Sequence, residues 1–126
     1  MKFPITRQEL QSYNYSSIRQ QKVEENIHNK IAEIIKTICN DFERNLQNNV
    51  NEKKFVWNWR HNGYNGIDQI IQYSGWSSAY GLSDLTAIKT YIEITKNSFM
   101  ERLRELFLGC TIITDPLETY IMIDWF

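Results

Sequence analysis

The sequence predicts an α+β fold: two long amphipathic helices packed on a small antiparallel sheet with a C-terminal β-hairpin. Three observations predict it. Apolar residues recur at three- and four-residue steps over 23–46 and again over 85–106, the period of a helix. Phe55, Trp57 and Trp59 alternate with Val56, Asn58 and Arg60, the period of a strand. Two more extended runs, 110–114 and 119–125, flank an Asp-Pro turn.

The first element is a short helix. Thr6 is its N-cap and Glu9 stands three residues on, as in a capping box, while Pro4 favours an extended approach. "SYNYSS" reads as a turn that ends it. The long helix follows from about Ser17. Its stripe is Val23, Ile27, Ile31, Ile34, Ile38, Phe42 and Leu46, widened by Ile35, with most charges off it. "NNVNEKK" stops it.

After the strand that carries Phe55, Trp57 and Trp59, "HNGYNG" offers Asn-Gly turn chemistry twice. Ile67, Ile70 and Ile71 suit a helical turn or two, or a short strand. Gly75 and Gly81 then punctuate an irregular aromatic link. Ser83 or Asp84 caps the second long helix, whose stripe is Leu85, Ile88, Ile92, Phe99, Leu103 and Leu106. The β-branched run from Thr90 to Thr95 lowers helix propensity, so a break is expected near Lys96-Asn97-Ser98. Gly109 is the natural stop.

The hairpin follows. Ile121, Ile123 and Trp125 share one face of its second strand. A hairpin alone is marginal in water. That strand is therefore expected to dock one face on the helices and to pair along one edge. The alternative is docking on another chain.

A chain of 126 residues fits a single domain, 1–126. Its net charge of -1 gives no global attraction to phosphates or anionic lipid. Cys39 and Cys110 form no C-x-x-C pair and read as small core hydrophobes in a reducing compartment. "MKFPITRQEL" lacks a secretory apolar region, and the longest apolar run, "LFLGCTII", is too short to span a bilayer. The expectation is an intracellular chain.

Catalytic chemistry finds little support. His28, His61, Cys39 and Cys110 stand at no zinc-ligand spacing, and there is no G-x-S-x-G, P-loop or G-x-G-x-x-G. Asp68, Asp84, Asp115, Glu118 and Asp124 give no evident acid/base pair. No catalytic, cofactor or metal site is expected, and the chain reads as a non-enzyme.

Two segments suggest binding. "YSGWSSAYG" places Tyr73, Trp76 and Tyr80 among small neutral residues; these rings either fold back on the core or meet a partner chain. Residues 53–64 combine Lys53, Lys54 and Arg60 with Trp57, Trp59 and Tyr64, the ingredients of a nucleic-acid-binding module that uses a basic-aromatic strand. The clean alternation of the tryptophans argues instead for a buried strand face.

"SFMERLRELFLGCTII", a short connection and a closing "YIMIDWF" resemble small proteins of large nucleocytoplasmic DNA viruses. The likeness covers roughly the last thirty residues; Leu108 and Phe126 depart from it. It implies a viral protein and, with the points above, a structural or interaction protein such as a minor capsid or virion component. The partners implied are other capsid or assembly chains, with a homo-oligomer as one form.

Overall fold

The computed structural model describes residues 3–11, 15–49, 51–81 and 85–126. In chain order the elements are α1 (Arg7–Gln11), α2 (Tyr15–Asn49), β1 (Lys54–Asn58), a 3-10 turn at Arg60–Asn62, α3 (Ile67–Gln72), α4 (Trp76–Tyr80), α5 (Leu85–Leu106), β2 (Thr111–Thr114) and β3 (Tyr120–Asp124). The architecture is α+β, as expected. The expected caps Ser83 and Asp84 lie outside the described residues, as does the side chain of Glu9.

α2 is the longest element, 35 residues or about 50 Å at 1.5 Å per residue. Val23, Ile27, Ile31, Ile34, Ile35 and Ile38 are buried along it, and Phe42 is half-buried. Leu46 is exposed, because the stripe runs on past the packed part of the domain.

α5 runs unbroken through Lys96-Asn97-Ser98. Two of its buried residues, Thr95 and Phe99, bracket that triplet, so packing overrides weak propensity. Thr95 was not part of the expected stripe. Its hydroxyl donates to the Tyr91 carbonyl at 2.7 Å, which lets a polar side chain lie in the core. Leu85 and Leu106, expected in the stripe, are exposed at the helix ends.

The three strands form one antiparallel sheet in the order β1-β3-β2. The strand expected to pair along one edge is the central strand, paired on both. Ile123 stands between Phe55 and Ile112, and Met122 between Val56 and Ile113. β1 is the reason: its pairing extends to Trp59 N–H on the Thr119 carbonyl (3.1 Å) and Trp125 N–H on the Lys53 carbonyl (3.0 Å).

Phe55, Trp57, Ile121 and Ile123 are buried on the face that meets the helices. There Phe42 makes edge-on contacts with Phe55, Phe107 and Trp125 at centroid distances of 5.5, 5.0 and 5.6 Å. Such edge-to-face contacts add to the burial term. The Trp57 indole N–H donates to Asp41 Oδ2 at 3.1 Å, tying β1 to α2.

The hairpin turn follows its sequence signature. Glu118 N–H donates to the Asp115 carbonyl (3.1 Å), with Pro116 at the second position. The Asp115 carboxylate also accepts the backbone N–H of Thr119 (2.7 Å) and of Tyr120 (3.2 Å), and the Thr119 hydroxyl.

Candidate functional site

One charged cluster joins three distant parts of the chain. Lys96 Nζ of α5 lies 2.7 Å from Asp68 Oδ1 of α3 and 3.1 Å from Glu118 Oε1 of the hairpin turn. The other carboxylate oxygen of Glu118 accepts the Ile67 backbone N–H at 2.8 Å, at the start of α3. Gly66 makes this approach possible. Its φ is +107°, and a Cβ there would sit 3.1 Å from Glu118 Cβ.

Burial by itself would lower the Lys96 pKa, but the hydrogen bonds and charges of Asp68 and Glu118 carry it above the ordinary value. Lys96 is thus an ammonium at neutral pH, with no free lone pair for attack or proton abstraction. A cleft of about 240 Å³ lies beside it, walled by Trp59, Ile67, Phe99, Met100 and Pro116. The arrangement clamps the hairpin to the helices. Among the described residues no cluster of His, Cys, Asp and Glu could hold a metal ion.

The aromatic link is a turn followed by one short helix, α4, rather than a loose loop. Trp76 is buried and stacks on Tyr80 at 4.6 Å and on Tyr91 at 5.1 Å. The Tyr80 hydroxyl donates to Glu24 Oε1 at 2.5 Å, and that hydrogen bond pushes its pKa up to about 12. Arg19 reaches Ser78 Oγ at 2.8 Å, so α4 is fastened to α2. The expectation of a partner-facing triad is corrected accordingly: Trp76 faces inward, Tyr80 is half-buried, and Tyr73 alone of the three is open. The absence of charge from this segment reflects packing on the domain.

The basic-aromatic strand divides in the same way. Trp57 and Trp59 are each 1% exposed and cannot receive a base in this arrangement. Tyr64 is half-buried beneath the Lys30 ammonium, 5.3 Å from its ring centroid. Lys53, Lys54 and Arg60 are exposed, without an exposed tryptophan between them.

The surface that remains open is the outer face of the sheet. Val56, Met122 and Ile113 stand in register across the three strands, with Val56 53% and Ile113 41% exposed. This apolar row lies between a row of Lys54, Asp124 and Thr111 and a pair formed by Asn58 and Tyr120. A contiguous apolar strip with polar margins is the pattern of a contact surface. The strand alternation alone sets Val56 and Met122 opposite the expected core face; it leaves Ile113 unassigned. Their cross-strand alignment depends on β3 being central, which the sequence did not reveal.

No family model, curated protein or solved structure matches this chain. Among the described residues no helix is long and apolar enough to cross a membrane.

Proposed function

We propose that this chain is a non-enzymatic structural or interaction protein, a small virion component of a large nucleocytoplasmic DNA virus that works within the host cell and the particle. The observation that carries the interaction reading is the uncovered sheet face, where Val56, Met122 and Ile113 make one apolar row. An apolar strip of this kind is stabilised by contact with another chain. The clamp around Lys96 supports the non-catalytic part, because it uses three charged side chains to hold elements together. The viral assignment rests on the likeness of the last thirty residues.

The test is incorporation. Particles purified from infected cells are expected to contain the protein at a reproducible ratio to the other structural chains. Val56→Lys is expected to lower that ratio several-fold while the purified variant melts like the wild type, since Val56 points away from the core. A protein missing from purified particles, or a variant incorporated as fully as the wild type, refutes the proposal.

A further inference from the structure

The two edges of the sheet differ, and the difference points to a specific partner. In an antiparallel ladder alternate residues turn both backbone groups toward one neighbour. The bonds from Trp59 to Thr119 and from Trp125 to Lys53 fix that alternation between β1 and β3. By register, Met122 and Asp124 of β3 then face β2, bonded to Ile113 and Thr111. Ile112 and Thr114 are left with their N–H and C=O groups pointing outward.

The outer edge of β1 is guarded. It bears Lys54, its Asn58 carbonyl accepts the Asn62 side chain at 2.8 Å, and a polar groove with Asp41, Asn45 and Asn48 lies alongside. β2 has none of these devices. Its sequence, Thr-Ile-Ile-Thr, is uncharged and entirely β-branched. Natural edges are normally blunted with charge, proline or a bulge.

We propose that β2 is the homodimerisation edge of this protein, pairing antiparallel with β2 of a second copy about a twofold axis through Ile113. The inference rests on the interaction reading above and names the partner. With Ile113 on the axis, Ile112 of each copy exchanges both backbone bonds with Thr114 of the other. The apolar row then runs Val56, Met122, Ile113 and on through Ile113, Met122 and Val56 of the second copy, across one continuous sheet.

The register is selected by the groups beside it. Centring on Ile112 would set Ile113 against Thr111 and would pair Thr114 with Cys110, whose N–H already donates to the Phe107 carbonyl at 3.2 Å. Centring on Ile113 makes no use of Cys110 N–H and faces it with Pro116, which has no N–H to satisfy. The same register brings together two residues that flank β2 at opposite ends. Leu108 is 81% and Leu117 is 83% exposed, the most exposed leucines among the described residues. An antiparallel twofold sets Leu108 of each copy near Leu117 of the other. A surface that complements itself in this way is what an isologous dimer requires. The contact is small, so the dimer belongs with weak, reversible associations.

The experiment is a concentration series of the full chain from about 1 µM to about 1 mM, in the range of weak association. It is followed by sedimentation velocity and by amide hydrogen exchange. The expected result is a monomer–dimer equilibrium, with the Ile112 and Thr114 amides slowing several-fold at high concentration while those of Lys54 and Val56 do not change. Ile113→Lys, which sets two ammonium groups face to face on the axis, is expected to weaken dimerisation at least 10-fold and to leave the melting of the monomer intact. Leu117→Asp is expected to weaken it less. A chain that stays monomeric throughout, or a dimer that leaves the Ile112 and Thr114 amides unprotected, overturns the proposal. The interaction reading fails separately: Val56→Lys, far from the axis, tests particle incorporation without touching the pairing edge.

Discussion

Replacing Glu118 with alanine isolates the clamp between the hairpin and the helices. Only 10% of the Glu118 side chain is exposed, and its carboxylate serves the Ile67 N–H and the Lys96 ammonium together. Losing a charge-assisted bond to a part-buried N–H costs about 1.5–3 kcal/mol. Lys96 retains Asp68 at 2.7 Å and is one-third exposed, so water replaces most of the second interaction and its loss adds less than about 1 kcal/mol. The expected total is about 2–4 kcal/mol, a large share of a typical domain stability of ~5–15 kcal/mol. Alanine keeps the same left-handed backbone at position 118, φ +53°, so the difference reads the side chain alone. Glu118→Gln leaves an acceptor for Ile67 N–H and should cost about 1 kcal/mol, in line with a neutral bond. The assay is urea unfolding at pH 7, followed by tryptophan fluorescence and circular dichroism. A Glu118→Ala protein within about 0.5 kcal/mol of wild type, the range of an ordinary surface change, would refute the clamp. A glutamine variant as damaged as alanine would show that charge, and not the acceptor at Ile67, is what matters.

Three further outcomes are expected. Trp76→Ala should cost about 3–5 kcal/mol by denaturant titration, since it empties a buried stack; a loss under about 1 kcal/mol would mean the ring is not held between Tyr80 and Tyr91. Gly66→Ala should cost about 1–3 kcal/mol by thermal melting, because alanine is strained at φ +107° and its Cβ meets Glu118; an unchanged melting temperature would contradict the close approach. The Thr119 hydroxyl, with backbone N–H groups, holds the Asp115 carboxyl below its ordinary pKa of 3.8. A carboxyl lowered on folding contributes stability above its unfolded pKa that is lost as pH falls through the folded one. Thr119→Val should therefore move the Asp115 carbon titration, followed by NMR, upward toward its ordinary value; an unmoved curve would rule out the hydroxyl as the main cause.

Much of the fold was legible because it is written in local periods. The Ile stripe of α2 and the alternation of Phe55, Trp57 and Trp59 each report one buried face. The Asp115-Pro116 turn needs only neighbours in sequence. What could not be read depends on residues that meet across the chain. Asp68, Lys96 and Glu118 belong to three elements, and no spacing rule links them. Strand order was hidden for the same reason: alternation shows which face of β3 is buried but not how many neighbours it has. Trp76 was ambiguous because an aromatic among glycines and serines looks alike whether it packs inward or outward. Its fate was decided by Tyr91 on α5 and, through the stacked Tyr80, by Glu24 on α2.

The central place of β3 also orders events in time. β2 and β3 are joined by residues 115–119 alone, whereas residues 59–119, with α3, α4, α5 and β2 among them, separate β1 from β3. Closing a chain segment costs (3/2)RT ln n, so the roughly tenfold longer span sets the β1 pairing about 2 kcal/mol behind the hairpin in loop entropy. Assembly is thus favoured in the order hairpin first, β1 last. By the register, Phe55 and Trp57 bond Ile123 and Ile121 only when β1 is seated on β3, so their amides should gain exchange protection in refolding after those of Ile113 and Met122.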